Sequence, residues 1–221
     1  TKGISVDGIV GPETTNALQQ AYQASASAQD MVMENANNAF KTAGLSANQY
    51  METVTSFSAS MLQSVGGDAA EAAKLSDMAI KDMSDNANKM GTDMDSIIQT
   101  YQSLSRGNYA MLDNLKLGYG GTKEELQRLI KDASKLDSAV DANSMSYANI
   151  AKAIHAVQND MGITGTTALE AEKTISGSLS TLKAAWGNTL TSLVNGGDEF
   201  DRCVENLVES AKTFAGNIMP V

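Results

Sequence analysis

The chain has 221 residues, a formal net charge of −10, one histidine and one cysteine. The acidic balance argues against a nucleic-acid groove, because affinity for phosphates depends on Lys and Arg. The single cysteine, Cys203, excludes an intrachain disulfide and a thiolate metal cluster. No apolar run reaches the roughly 18 residues that a membrane-spanning helix needs, so the sequence predicts no span. The chain opens at Thr1 without a methionine, which predicts a fragment of a longer protein.

Composition predicts an all-α fold. Only two prolines and 5% aromatic residues are present, and Ala, Leu, Met, Gln, Glu and Lys are abundant, a balance that favours helices over strands. We expect a bundle or array of about seven to nine helices, joined by glycine turns and ending in long helices. Three regions are predicted: residues 1–20, residues 21–139 with the glycine joint, and residues 140–221 with the long helices.

The first segment with an unusual pattern is SVDGIVGPETTNALQ, residues 5–19. Gly11-Pro12 is typical of a helix start, with proline at the first helical position. The run VDGIVGPET resembles the closing helix of small peptidoglycan-binding repeats. That family needs further helices upstream, and only Thr1 to Ile4 precede the run here. A truncated wall-binding module, a fusion remnant and a coincidental helix start all remain open.

Residues 14–38 predict a long helix without one clear apolar face, and this helix is a candidate to pack on another chain. Ser46 and Gln49 form a capping pair for a helix that we expect to continue to Ser64. Gly66-Gly67 ends that helix. The next helix begins near Asp68 and runs to Gly91, and Thr92 is predicted to cap a helix over residues 93–105.

The sequence MLDNLKLGYGGTKEELQRLIKDA, residues 111–133, predicts a helix–turn–helix joint. An apolar helix is expected to end at Leu117, followed by a turn in which glycines supply positive φ. Thr122 and Glu125 form a capping box for the next helix. A glycine turn before a helix also suits phosphate binding. This turn, however, lacks the lysine of a P-loop and the third glycine of a dinucleotide fingerprint.

The C-terminal region predicts long helices with apolar seams. A 3–4 alternation runs from Tyr147 to Met161, and Thr167 with Glu170 suggests a further capping box. Two more seams follow at helical spacing, which favour either an antiparallel hairpin or a coiled-coil extension. Their residues are Ile175, Leu179, Leu182, Trp186, Leu190 and Leu193, and then Phe200, Val204, Leu207, Ala211, Phe214 and Ile218.

Little chemistry is apparent, and we predict no catalytic, cofactor-binding or metal-binding residues and no enzyme activity. His155 is interpreted as a flanking surface histidine, since one histidine builds neither a histidine-rich metal site nor a triad without specific partners. Cys203 is interpreted as a half-buried small hydrophobe. The acidic cluster of Asp82, Asp85, Asp93 and Asp95 is interpreted as a solvated face. The recurring Met78, Met83, Met90 and Met94 are interpreted as soft core filling.

Four long segments resemble, in the same order, the tail tape measure proteins of long-tailed phages and prophages. They are AGLSANQYMETVTSFSASMLQSVGGD (43–68), DMSDNANKMGTDMDSI (82–97), NYAMLDNLKLGYGGTKEELQRLIKDA (108–133) and MGITGTTALEAEKTISGSLSTLKAAWGN (161–188). Together they extend the resemblance over about residues 40–221.

The resemblance implies a structural role in tail-tube assembly and length determination. The implied partners are tail-tube proteins, tail-tip proteins, tail assembly chaperones and further copies of the chain. The implied location is the virion tail, and the host cytoplasm during assembly. The glycine turns predict a compact helical region beside the extended ruler of such a protein. The alternatives are a peptidoglycan-binding or wall-degrading module of a phage tail and a non-viral helical adaptor.

Overall fold

The computed structural model describes residues 12–195 and 198–218, and this part of the chain is all-helical, without a β-strand. It contains ten α-helices, more than the seven to nine expected. They are α1 Pro12–Thr42, α2 Ala47–Thr55, α3 Ser58–Ser64, α4 Ala69–Met90, α5 Met94–Ser105, α6 Lys123–Leu136, α7 Tyr147–Asp160, α8 Thr166–Lys173, α9 Ile175–Asn195 and α10 Asp198–Ile218. A short 3-10 helix, Leu112–Leu115, precedes α6.

The hydrophobic core lies around α4, which packs against α1, α3, α5 and α7, while α6 packs against α7. Large side chains with almost no exposed surface fill this core. Among them are Tyr50, Met61, Met83, Tyr101, Leu126 and Leu129. The seam predicted on α7 is buried from Tyr147 to Val157, but Met161 caps the helix and is exposed. Burial of Met83, with Met78, Met90 and Met94 packed against the same core, confirms core filling by methionine.

The helix break near Ser56 was not predicted, and Ser and Thr hydroxyls bond to nearby carbonyls there. The helix expected over residues 46–64 is two helices, although the capping box at Ser46 is confirmed. Near the break, Thr55 donates to the Met51 carbonyl and Ser56 to the Thr53 carbonyl. Such bonds compete with regular helix geometry. This split and the separation of α8 from α9 explain why the structure has more helices than predicted.

Two predicted caps are wrong. Asp93, and not Thr92, caps α5 by accepting a hydrogen bond from the Ser96 N–H at 3.1 Å. The Thr92 hydroxyl instead donates to the Asn114 carbonyl, 22 residues away. At α8 the N-cap is Gly165, and no side chain caps that helix from within its own sequence. The predicted pair of Thr167 and Glu170 therefore does not form a capping box.

The central joint is partly as predicted. Thr122 accepts the Glu125 N–H at 3.2 Å, but the Glu125 carboxylate accepts from the Gly120 N–H and not from Thr122. The helix before the turn is a 3-10 helix, and positive φ falls at Lys116 and Gly118. Gly121 is required for a different reason: a Cβ atom there would overlap the backbone carbonyl of Ala110.

Helices α9 and α10 pack against each other along their length, which confirms the helical hairpin. The predicted segment 5–11, the Gly196-Gly197 turn and the side chains of Ile175 and Leu193 lie outside what the structure describes. The proposed division at residues 20 and 139 stays a prediction.

Candidate functional site

The prediction that the acidic cluster forms a solvated face is wrong for Asp82 and Asp85, because both residues are buried. They belong to a polar row on α4 that binds other parts of the chain. Ser84 donates to the Ala43 carbonyl at 2.6 Å, and Asn86 donates to the Leu115 carbonyl at 2.9 Å. A run of Asp, Ser and Asn inside a helix is locally unfavourable. That run was the available signal that these side chains have distant partners.

Asp85 connects α4 to the start of α8. Its carboxylate accepts hydrogen bonds from the backbone N–H groups of Gly165 at 2.6 Å and Thr167 at 2.8 Å. The first N–H groups of a helix have no partner within the helix, and the helix dipole favours negative charge there. Asp85 therefore caps α8 from 80 residues away, which explains why α8 has no local cap.

His155 is half-buried, with its side chain 31% exposed, and it has a specific buried partner that the sequence did not predict. Its Nδ1 atom on α7 lies 2.8 Å and 3.0 Å from the two carboxylate oxygens of Asp82 on α4. Burial raises the pKa of Asp82 to about 6, although the hydrogen bond from His155 opposes that rise. The same hydrogen bond raises the pKa of His155. The pair joins α4 to α7 at the edge of the core.

A cleft of about 460 Å³ opens beside this pair, lined by charged and apolar side chains of α4 and by the turn before α8. An Asp–His pair orients a general base in hydrolases, where a hydroxyl or thiol nucleophile contacts the second ring nitrogen. In the part of the chain that the structure describes, no such group hydrogen-bonds His155. Its partners there are the oxygens of Asp82. The geometry therefore fits a structural connection better than a nucleophilic site.

The α9–α10 hairpin contacts the rest of the chain mainly through small and polar side chains. Asn188 accepts the Ala47 N–H at 2.8 Å, and Asn217 donates to the carbonyls of Glu172 and Thr174 at the end of α8. Lys41 pairs with Glu209 at 2.8 Å. The buried residues of the hairpin are Ser178, Thr181, Ala184, Ala185, Thr189, Ser192, Cys203 and Ser210. Cys203 is more deeply buried than the half-buried position predicted for it.

Leu207 of α10 packs inward against Phe40, Ala184 and Ala185. Other apolar residues of the hairpin lie on its opposite side, which we call the outer face. Trp186 is 54% exposed, Leu190 49% and Val208 47%, while Leu179, Leu182 and Val204 are half-buried. Ala211 and Ala215 complete this face and are exposed. The predicted α9 seam is therefore an apolar stripe that the described part of the chain leaves partly uncovered. On α10 the predicted seam residues Phe200, Leu207 and Phe214 are half-buried, and the exposed Val208 and Ala215 lie outside that seam. Contiguous apolar surface of this kind marks interaction sites.

Comparisons of the chain with protein-family models, curated proteins and solved structures found no match. Within the described residues, no helix is long and apolar enough to cross a membrane. No group of three or more His, Cys, Asp or Glu side chains there is arranged to hold a metal ion. We take the outer face of the hairpin, with Trp186, Leu190 and Val208 exposed, as the candidate site.

Proposed function

We propose that the chain is a structural, non-catalytic part of a phage tail tape measure protein, which acts in tail-tube assembly and length determination. The sequence resemblance over residues 40–221 supports the family. The observation that carries the mode of action is the outer face: Trp186, Leu190 and Val208 are about half exposed on packed, antiparallel helices. A buried core holds the hairpin, and the hairpin offers an apolar surface to other tail components.

The arrangement suits an assembly role because the residues that stabilise the fold differ from those that are available to bind a partner. Apolar groups around α4 stabilise the fold, whereas the apolar groups of the outer face are free to be buried against a partner. Helical partners among the tail-tube proteins, tail-tip proteins, assembly chaperones and further copies of the chain fit this surface. We place the chain in the virion tail, and in the host cytoplasm during assembly.

Deletion of the gene from the phage or prophage that carries it tests the proposal. Lysates of the deletion strain should contain DNA-filled heads without tail tubes by electron microscopy, and complementation should restore complete tails. Purified virions should also yield peptides of this chain by mass spectrometry. Tails of normal length and number in the deletion strain would reject the tape measure role.

A further inference from the structure

We infer that the outer face of the α9–α10 hairpin binds the same face of a second copy of this chain, forming a four-helix bundle across a two-fold axis. The inference deepens the proposed assembly role and rests on it in one respect, namely that the outer face is a docking surface. Three properties of the hairpin support a second hairpin as the occupant: the position of its stripes, its area, and the sizes of its side chains.

The two stripes share one side of the hairpin. Helix α9 contacts α2 through Asn188 and Thr191, and Trp186 lies more than a quarter turn from both at 100° per residue. Helix α10 contacts α1 through Glu209, and Val204 lies on a different side of that helix. The apolar surface is therefore two helices wide and faces away from α1 and α2.

The area of the outer face fits a two-helix partner. Each helix has 21 residues, so a face two helices wide and about 32 Å long covers roughly 600 Å². Two such faces would bury roughly 1,200 Å² in total, the lower limit for specific interfaces. A single partner helix would bury about half of that and leave part of the face uncovered. A hairpin of the same length covers the whole surface.

The side chains of the two helices differ in size in a self-complementary way. Helix α9 presents Leu and Trp to the outer face, whereas the middle of α10 presents Val204, Val208, Ala211 and Ala215, and the larger Ile218 is 48% exposed at the C-terminal end of α10. With the two-fold axis parallel to the helices, α9 of each copy lies over α10 of the other. Large side chains then meet small ones, the condition for close packing of facing helices.

The mass of the intact chain in solution, measured by sedimentation equilibrium over a range of concentrations, tests this inference. We expect a monomer–dimer equilibrium. Trp186 is the only tryptophan, so its emission should shift to shorter wavelength over the same concentration range. Val208→Lys should weaken dimerisation at least tenfold. Leu169→Lys is the matched control, because Leu169 on α8 is 52% exposed and lies outside the hairpin; this variant should dimerise like the wild type.

Ala211→Trp distinguishes specific packing from non-specific hydrophobic association. It enlarges the apolar surface but fills the space that a large α9 side chain of the second copy would occupy, so dimerisation should weaken, with unchanged helix content by circular dichroism. Stronger association of this variant would overturn the inference, as would a monomeric wild type at every concentration or equal loss in Leu169→Lys. A monomeric wild type would leave the tail role standing, because the deletion phenotype decides that role separately.

Discussion

The core around α4 and the α9–α10 hairpin use the same kind of helix in opposite ways. The core helices turn their large side chains inward, with Tyr101, Leu129 and Ile154 buried. The hairpin turns Ser, Thr, Ala and Cys inward and leaves Trp186 and Leu190 half exposed. Apolar periodicity alone therefore does not identify the buried face of a helix. The contrast underlies our inference that a partner covers the outer face of the hairpin, whereas the core buries its own large side chains.

The largest effect should come from truncating a core leucine. Leu129→Ala on α6 removes a fully buried side chain and should lower the free energy of unfolding by about 2–5 kcal/mol. Leu190→Ala makes the same chemical change on the outer face and should cost under about 1 kcal/mol. Urea denaturation at low protein concentration measures both. Equal losses would mean that the hairpin belongs to the core.

The Asp82–His155 pair should make stability depend on pH. The pKa of Asp82 rises from 3.8 to about 6 in the fold, so the unfolded chain ionises first and stability falls as pH rises through that interval. This change in the pKa of Asp82 corresponds to roughly 3 kcal/mol of unfolding free energy. The raised pKa of His155 acts in the same direction, because its stabilising proton is lost as pH rises through that pKa.

Asp82→Asn removes the titration of Asp82 and the largest cause of the raised pKa of His155. We expect the unfolding free energy of the wild type, minus that of Asp82→Asn, to fall between pH 4 and pH 8, as measured by urea denaturation at several pH values. The charges nearest the pair are Lys81, Asp85 and Asp137, and they are unchanged in this variant. Asp93→Asn is the control, because it also removes one carboxylate, but from the exposed N-cap of α5. A difference that stays flat or rises with pH would contradict the assignment.

The glycine joint allows a matched pair of substitutions. Gly121→Ala places a Cβ atom against the Ala110 carbonyl and should cost about 1–3 kcal/mol in unfolding free energy. Gly120→Ala is the control, because its Cβ would lie 3.5 Å from the nearest atom, Glu125 Cγ, an ordinary contact. Thermal denaturation compares the two variants. Similar melting temperatures for both would show that the backbone approach at Gly121 is not needed.

The smallest effect is expected where α9 begins. A Cβ atom at Gly177 would overlap the backbone of Glu170 and Ala171 in α8, so Gly177→Ala should loosen the hairpin and spare the core. The change should appear as faster amide exchange in α9 and unaltered exchange in α7. Gly187→Ala, with Ser46 Cβ as its nearest neighbour at 3.8 Å, should leave the exchange in α9 as slow as in the wild type. Loss of protection in α7 would argue that the two regions unfold as one.

Local sequence signals predicted the all-helical fold, the capping box at Ser46 and the end of α4 at Gly91, because these depend on neighbours within one turn. They failed where a partner comes from far along the chain. Asp85 caps a helix 80 residues away, and Asp82 meets His155 across 73 residues. The sequence predicted the α9 seam that contributes Trp186 and Leu190 to the outer face, but not Val208 and Ala215 of α10. Whether the chain itself covers a seam depends on tertiary packing, which periodicity does not encode.

Amide hydrogen exchange at a low and a high protein concentration tests the central contrast most directly. At low concentration, amides of α9 and α10 should exchange faster than those of α7, because few large apolar side chains hold the hairpin. At high concentration, protection should rise in α9 and α10 and stay constant in α7. Exchange in the hairpin as slow as in α7 at both concentrations would contradict the account, since the hairpin would then be complete without a partner.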